Sequence, residues 1–319
     1  MPGYMKAVLA IAILAATSAI AQPYPAKPIR LLSTISGGTE GLVRLVMQKA
    51  GDAMGQPVIL ESQPGANGMI AAEMTARAAP DGYTILVAVP GSMVVRGFLT
   101  KVMPYQPVKD FTAITQAASA ISMVVAHPAH PVNSLKEMLD KSKSGTRITY
   151  GTNGIGASDH LTAELLNQST GSKLVHVPHK TAVQAVTNAV SGEVDTYFGV
   201  YVSSAAMLRA GKLKPFAYTN VRPATSAIPD VPLISEVVPG FQSPPYWVGL
   251  FGPAGIPQPI LRRLNGELVR ALDATEMRVR WADVGFHVVA NSPEEFTAIL
   301  YADLERVGRI AKGAGIKPE

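Results

Sequence analysis

Ser36, Gly37, Gly38, Thr39 and Glu40 follow a short apolar run over 29–32 and precede a helical pattern over 42–54. Thr152, Asn153, Gly154, Ile155, Gly156, Ala157 and Ser158 stand in the same relation to an apolar run over 148–150 and a helical pattern over 161–168. A strand-to-helix junction of this composition frees peptide N–H groups and sets the positive end of a helix dipole beside them, which suits a carboxylate or phosphate. One such loop means little, because a tight turn needs glycine anyway. Two of them predict two lobes closing on one anion from opposite sides. Ser158 also reads as a helix cap, and Glu40 as a first-turn residue favoured by the dipole. Ser92 follows a strand pattern over 84–89, where residues of an open α/β sheet face the ligand crevice. His179 follows another strand end and reads either as a ligand partner or as a surface histidine.

The elements that must position these residues alternate along the chain. Strand patterns over 58–61, 84–89, 174–177, 194–198 and 247–252 are interleaved with helical patterns over 69–77, 183–190, 203–210 and 257–271. Such alternation predicts parallel α/β architecture. Ser134 with Glu137, and Ser292 with Glu295, are capping-box signatures; the second opens a terminal helix to about residue 311. Strand, glycine loop, helix, closing glycine and strand occur over 29–61 and again over 148–178, with Gly51 and Gly171 as the closing glycines and similar helix lengths. Proline-bearing stretches over 127–131 and 222–232 flank the middle segment. If the chain crosses near 123–126 and 218–220, residues 125–219 form one lobe, and 22–124 with 220–319 form the other. Two crossings make a hinge.

Composition narrows the classes. The 319 residues are 47% hydrophobic and 16% charged, which excludes disorder, and they are too many for one compact core. Residues 1–21 read as a secretory signal: Lys6 is followed by an apolar run and then Ala19, Ile20 and Ala21, with cleavage expected near Ala21 and export from the cytoplasm. There is no cysteine, so thiol catalysis and thiolate metal sites are excluded. Lys and Arg are scattered rather than interleaved with aromatics, so a net charge of +5 gives no support to nucleic-acid binding. No His-Glu-x-x-His pattern is present, and neither metal nor cofactor is expected. Gly156, Ala157, Ser158, Asp159 and His160 superficially suggest an exported serine hydrolase. The second glycine of a nucleophile elbow is missing, and a histidine two positions on points elsewhere on a helix. Catalysis is therefore not expected, and a monomer is the default.

The chain also resembles a known family. Tyr24, Pro25, Ala26, Lys27, Pro28, Ile29 and Arg30 look like the mature start of the Bug-type extracytoplasmic solute receptors of tripartite tricarboxylate transporters. Further matches are Gly37-Gly38-Thr39 with Arg44, Met54-Gly55-Gln56-Pro57-Val58, Pro64-Gly65-Ala66-Asn67-Gly68 and Pro80-Asp81-Gly82-Tyr83-Thr84. Tyr150-Gly151 through Gly156, His160-Leu161, His176-Val177-Pro178 and Pro253-Ala254-Gly255-Ile256-Pro257 complete the set, which spans essentially the whole mature chain. The resemblance implies a type II periplasmic binding fold: two α/β lobes joined by two hinge strands, with a ligand cleft between them. It implies capture of a small organic carboxylate, and delivery to the integral membrane subunits of a tripartite tricarboxylate-type transporter or, in another use of the fold, a report to a signalling partner. It puts Ser36, Gly37, Gly38 and Thr39 at the site from one lobe, and Asn153, Gly154, Gly156, Ala157 and Ser158 from the other. The sequence departs from the usual pattern at Thr34-Ile35, Glu40, Ser62-Gln63 and His179-Lys180-Thr181, which leaves aliphatic and aromatic carboxylates both open.

Overall fold

A computed structural model describes residues 24–35, 38–63, 68–222 and 230–313. The signal segment 1–21 and the loop residues Ser36 and Gly37 lie outside the described residues. Two separate sheets form. The first has six strands in the order β11-β4-β10-β3-β1-β2, built from β1 (Ile29–Ser33), β2 (Val58–Ser62), β3 (Thr84–Ala88), β4 (Phe111–Ala120), β10 (Trp247–Pro253) and β11 (Phe286–Val288). The second has five in the order β7-β6-β8-β5-β9: β5 (Ser122–Ala126), β6 (Thr149–Thr152), β7 (Val175–Pro178), β8 (Thr196–Val200) and β9 (Lys214–Tyr218).

Helices cover both sheets. They are α1 (Gly38–Met54), α2 (Met69–Ala76), α3 (Pro90–Met93), α4 (Leu135–Lys143), α5 (Ser158–Thr170), α6 (Ala182–Ser191), α7 (Tyr201–Arg209), α8 (Ile234–Val237), α9 (Gln258–Asp273), α10 (Thr275–Ala282) and α11 (Pro293–Gly313). Central strands β3 and β10 are apolar almost throughout because both faces are buried, whereas β2, at an edge, is largely part-exposed. One face of the first sheet packs Leu31, Val87 and Leu250 under α1 and α9. The other packs Leu86, Trp247 and Phe251 under α2 and α11, where Trp247 Nε1 donates to Asp303 Oδ2 at 2.8 Å. Ser292 and Glu295 exchange their capping-box bonds at 2.9 and 3.1 Å, as the sequence pattern requires.

The repeated unit is present. β1 and β2 pair in parallel across α1, as β6 and β7 do across α5. The helices differ more than expected, at 17 and 13 residues, and Gly51 lies inside α1 rather than closing it. The architecture is also mixed rather than purely parallel. β10 runs antiparallel to β3 and β4, and β5 antiparallel to β8 and β9. Strands that carry the chain from one lobe to the other and back enter each sheet from the opposite end, and helix-crossover logic does not govern them.

The first passage between lobes lies at Ile121, a little before the expected span. Its N–H donates to Gly285 O in the first lobe, while its carbonyl accepts from Tyr201 N in the second. The return begins after Tyr218 but is not immediate: Ile234, Val237, Val238 and Phe241 pack into the second lobe's core with Leu135 and Met138. This short helix buries Ile234 and packs Val237 there before the chain returns to the first sheet. Asn220 stitches the passages together, donating to Ala120 O at 2.8 Å and accepting from Ser122 N at 3.2 Å. Asn220→Ala should lower stability by about 1–2 kcal/mol, seen as a lower urea midpoint; an unchanged midpoint would deny the stitch any role.

Candidate functional site

The C-terminal ends of the parallel strands in both sheets converge on one cleft of about 840 Å³, counted to its open mouth. Thr34 and Ile35 follow β1; Val89, Pro90 and Gly91 follow β3; Asn153 follows β6; Lys180, Thr181 and Ala182 follow β7; and Val200 ends β8. Such ends are where an open α/β sheet leaves crevices, because the strand-to-helix turns cannot close over one another. Ala120, Tyr246, Trp247 and Val248, beside the two passages, also line it.

The described flanks of the first loop singled out by sequence meet the second loop here. Thr39, in the first turn of α1, lines the cleft opposite Asn153, Ala157 and Ser158. Helix α5 starts from an N-cap Ala157 in extended conformation with no side-chain cap bond, so its first peptide N–H groups are left for another acceptor. Ser158 is thus not a cap. Its Oγ donates to Pro245 O at 2.9 Å, tying the second lobe to the return passage. Gly154 and Gly156 are not in the cleft wall. They shape it, with φ of 122° and 82° that let the chain turn from β6 into α5. Gly38 is the first residue of α1. Arg96 reaches over from the first lobe, and its Nη1 donates to Ile155 O at 3.0 Å.

Ser92 and His179 are placed differently from expectation. Ser92 is buried behind the wall, with its hydroxyl on Val89 O at 3.1 Å, and its neighbours Pro90 and Gly91 face the cleft instead. The short helix α3 begins at Pro90, so the chain has already turned inward by Ser92. His179 is neither on the surface nor in the wall. Its ring packs against Gly151, with Nε2 at 2.9 Å from Asn188 Nδ2, while Lys180 and Thr181 line the cleft. Glu40 accepts from Arg44 and from Ser62 Oγ at 3.1 and 2.8 Å and so points away from the cleft.

Three further features escaped the sequence reading. Thr181 caps α6, accepting from Gln184 N at 3.2 Å, so a third helix begins at the cleft; the Thr-x-x-Gln spacing was a readable signal. Thr34 Oγ1 and Asn153 Oδ1 are buried with no hydrogen-bond partner. Asp159 lines the cleft from inside the protein, with burial holding its pKa up at about 6 against the pull of Ser122 and Tyr246 hydroxyls.

The residues of the hydrolase alternative do not assemble. Ser158 Oγ is engaged by Pro245 O, and the ring nitrogen Nδ1 of His160 accepts from Gly156 N at 3.3 Å. His160 stacks on His176, ring centroids 4.2 Å apart, and His176 Nε2 lies 2.8 Å from Thr152 Oγ1. Burial, with His160 and His179 nearby, pushes the His176 pKa down to about 3, so the ring is a neutral brace behind the β6–α5 loop.

Residues 42–316 match the family model described as tripartite tricarboxylate transporter family receptor. The chain is 29% identical over 321 residues to a UPF0065 protein of Bordetella pertussis, covering 99% of this chain and 98% of that one. Among solved structures it superposes on MatC (Rpa3494) from Rhodopseudomonas palustris with bound malate, TM-score 0.83 and 29% identity, covering 90% of this chain and 99% of the other. It superposes also on R. palustris Rpa4515 with adipate, TM-score 0.86 and 26% identity, covering 93% and 100%. With the family model matched over most of its length, the chain belongs to the family of tripartite tricarboxylate transporter receptors, and it shares the fold of these solved structures.

Proposed function

We propose that this protein is a periplasmic receptor that captures a small organic carboxylate between its lobes and presents it to the membrane subunits of a tripartite transporter. One observation carries the reading: both glycine-bearing junctions, β1–α1 and β6–α5, open onto the same cleft. The malate and adipate bound by two relatives support it. Thr34, Thr39, Ala157, Ser158, Lys180 and Thr181 are the residues we assign to the ligand's anionic end, together with Ser36, Gly37 and Gly38 from the sequence reading, and Asn153 to its remaining polar groups. Peptide N–H and hydroxyl donors to a charged oxygen contribute about 1.5–3 kcal/mol each. A few of them suffice for micromolar affinity after the costs of ordering and desolvation. Asn220 and Ile121 let the lobes rotate as bodies, and closure makes the surface that the membrane subunits read. Export with loss of residues 1–21 is part of the same proposal.

A thermal-shift screen of the mature protein tests it, using aliphatic dicarboxylates, citrate, aromatic acids and amino acids. A true ligand at ~100 times its dissociation constant should stabilise the fold by about 2.7 kcal/mol. If no organic anion raises the melting temperature, the receptor reading fails.

A further inference from the structure

Three carboxylates are buried among the described residues: Glu267 at 3%, Asp303 at 1% and Asp159 at 7% exposure. The first two are neutralised within the protein, Glu267 by Arg263 and Arg270, and Asp303 by Arg306. Asp159 makes no ion pair among the described residues. Ser122 Oγ donates to its Oδ1 at 2.7 Å, and the Tyr246 hydroxyl also bonds it. A carboxylate offers about four acceptor positions, so two hydroxyls leave capacity unused. A buried charge without a counter-charge is unfavourable, and folded proteins ordinarily avoid it.

Asp159 is also part of the cleft wall, as is Asn153, whose buried Oδ1 lacks a donor. This part of the wall therefore presents acceptors and negative charge. The other charged residue in the wall is Lys180, exposed on the β7–α6 turn. The wall thus holds one exposed cation and one buried carboxylate, and a simple diacid matches only the first of them.

We propose that the solute is a small organic acid that also carries a cationic nitrogen, its ammonium docking on Asp159 and its carboxylate held by the strand-to-helix turns and Lys180. This rests on the carboxylate-receptor reading above and narrows it. Asp159 supplies the missing negative charge for the ligand's cation, and the ligand supplies the counter-charge that Arg306 gives Asp303. The titratable groups around Asp159 are Tyr246 of the return passage and Tyr197 of β8, with His160 next to it on α5 and Lys180 in the wall from the β7–α6 turn of the same lobe; β5 contributes the non-titrating Ser122. Burial, followed by the charge of Asp159, pushes both tyrosines far up, so they stay neutral hydroxyls.

Calorimetric titration of the mature protein with propionate through octanoate, and with their α-amino, ω-amino and ω-carboxy derivatives, tests the idea. At about pH 8 an amino derivative should bind at least about tenfold tighter than the plain and dicarboxylic acids of the same length. That ratio should shrink toward about pH 5 as Asp159 takes up a proton; taking the ratio cancels changes at the carboxylate end. Asp159→Asn should abolish the preference. Plain or dicarboxylic acids binding best, a ratio indifferent to pH, or a preference that survives Asp159→Asn would each overturn the proposal while leaving the receptor reading intact. Binding of none of these acids, together with no response in the wider thermal-shift screen, would overturn both. If Asp159→Asn fails to fold, the pH dependence of the wild-type ratio decides alone.

Discussion

Gly68→Ala should destabilise the protein by about 2–4 kcal/mol and weaken ligand binding at the same time. Gly68 precedes α2 with φ +83° and ψ 2°, a left-handed conformation that an L side chain resists. A Cβ there would sit 2.3 Å from Thr34 Cβ and 3.1 Å from Thr34 Cα, atoms that move only if the backbone moves. Thr34 lines the cleft and holds a buried, unpartnered Oγ1, so the strain passes directly into the ligand wall. Urea unfolding and calorimetric binding read the two effects separately. Gly41→Ala is the control: an added Cβ on that helical residue meets nothing within 4 Å and should stabilise by about 0.5–1 kcal/mol. Equal midpoints for the Gly68 variant and its parent would show that the β1 turn yields freely, and the coupling of Gly68 to the cleft would be lost.

What the sequence disclosed and what it concealed follow one physical division. Features set within a few residues were readable. The Ser292–Glu295 box, the Ser134 cap and the two β-α-β units all depend on local hydrogen bonding and periodicity. Features set by distant pairing were not. β4 is rich in Ala, Thr and Ser and acquires its partners β10 and β11 from more than a hundred residues away. With no proline or glycine between 111 and 126, nothing marks Ile121 as the place where the chain changes lobes. The candidate site divides the same way. Thr39, Asn153, Ala157 and Ser158 were legible as junction residues, whereas Tyr197, Tyr246 and Asp159 enter the cleft wall only because two lobes and a return passage meet there. His179 and Lys180 illustrate the limit. The alternation at a strand end says that neighbours face opposite ways, but it takes Gly151 and Asn188 to draw the histidine inward and leave the lysine for the cleft.

Asp159→Asn should raise the stability of the ligand-free protein at about pH 8 by about 3 kcal/mol. Burial holds the carboxyl at about 6 in the folded protein against an ordinary 3.8. The folded state thus binds this proton more tightly than the unfolded state does. Its favourable contribution is complete below about pH 4 and disappears as pH rises through about 6; at about 1.4 kcal/mol per unit of pKa the loss is about 3 kcal/mol. Asparagine keeps an acceptor for Ser122 and Tyr246 without the charge, so the variant escapes that loss. The difference between variant and parent, measured as unfolding free energy against pH, should be near zero at about pH 3 and reach its plateau above about pH 7. Taking the difference removes His176, whose depressed pKa makes the fold more acid-labile in both proteins alike. A variant less stable than its parent at high pH would mean that the charge is already compensated inside the fold, and the cleft would need no cation from its ligand. A stabilised variant would instead mark Asp159 as a residue kept at a cost to the empty receptor, which is the thermodynamic signature of a group whose partner arrives with the solute.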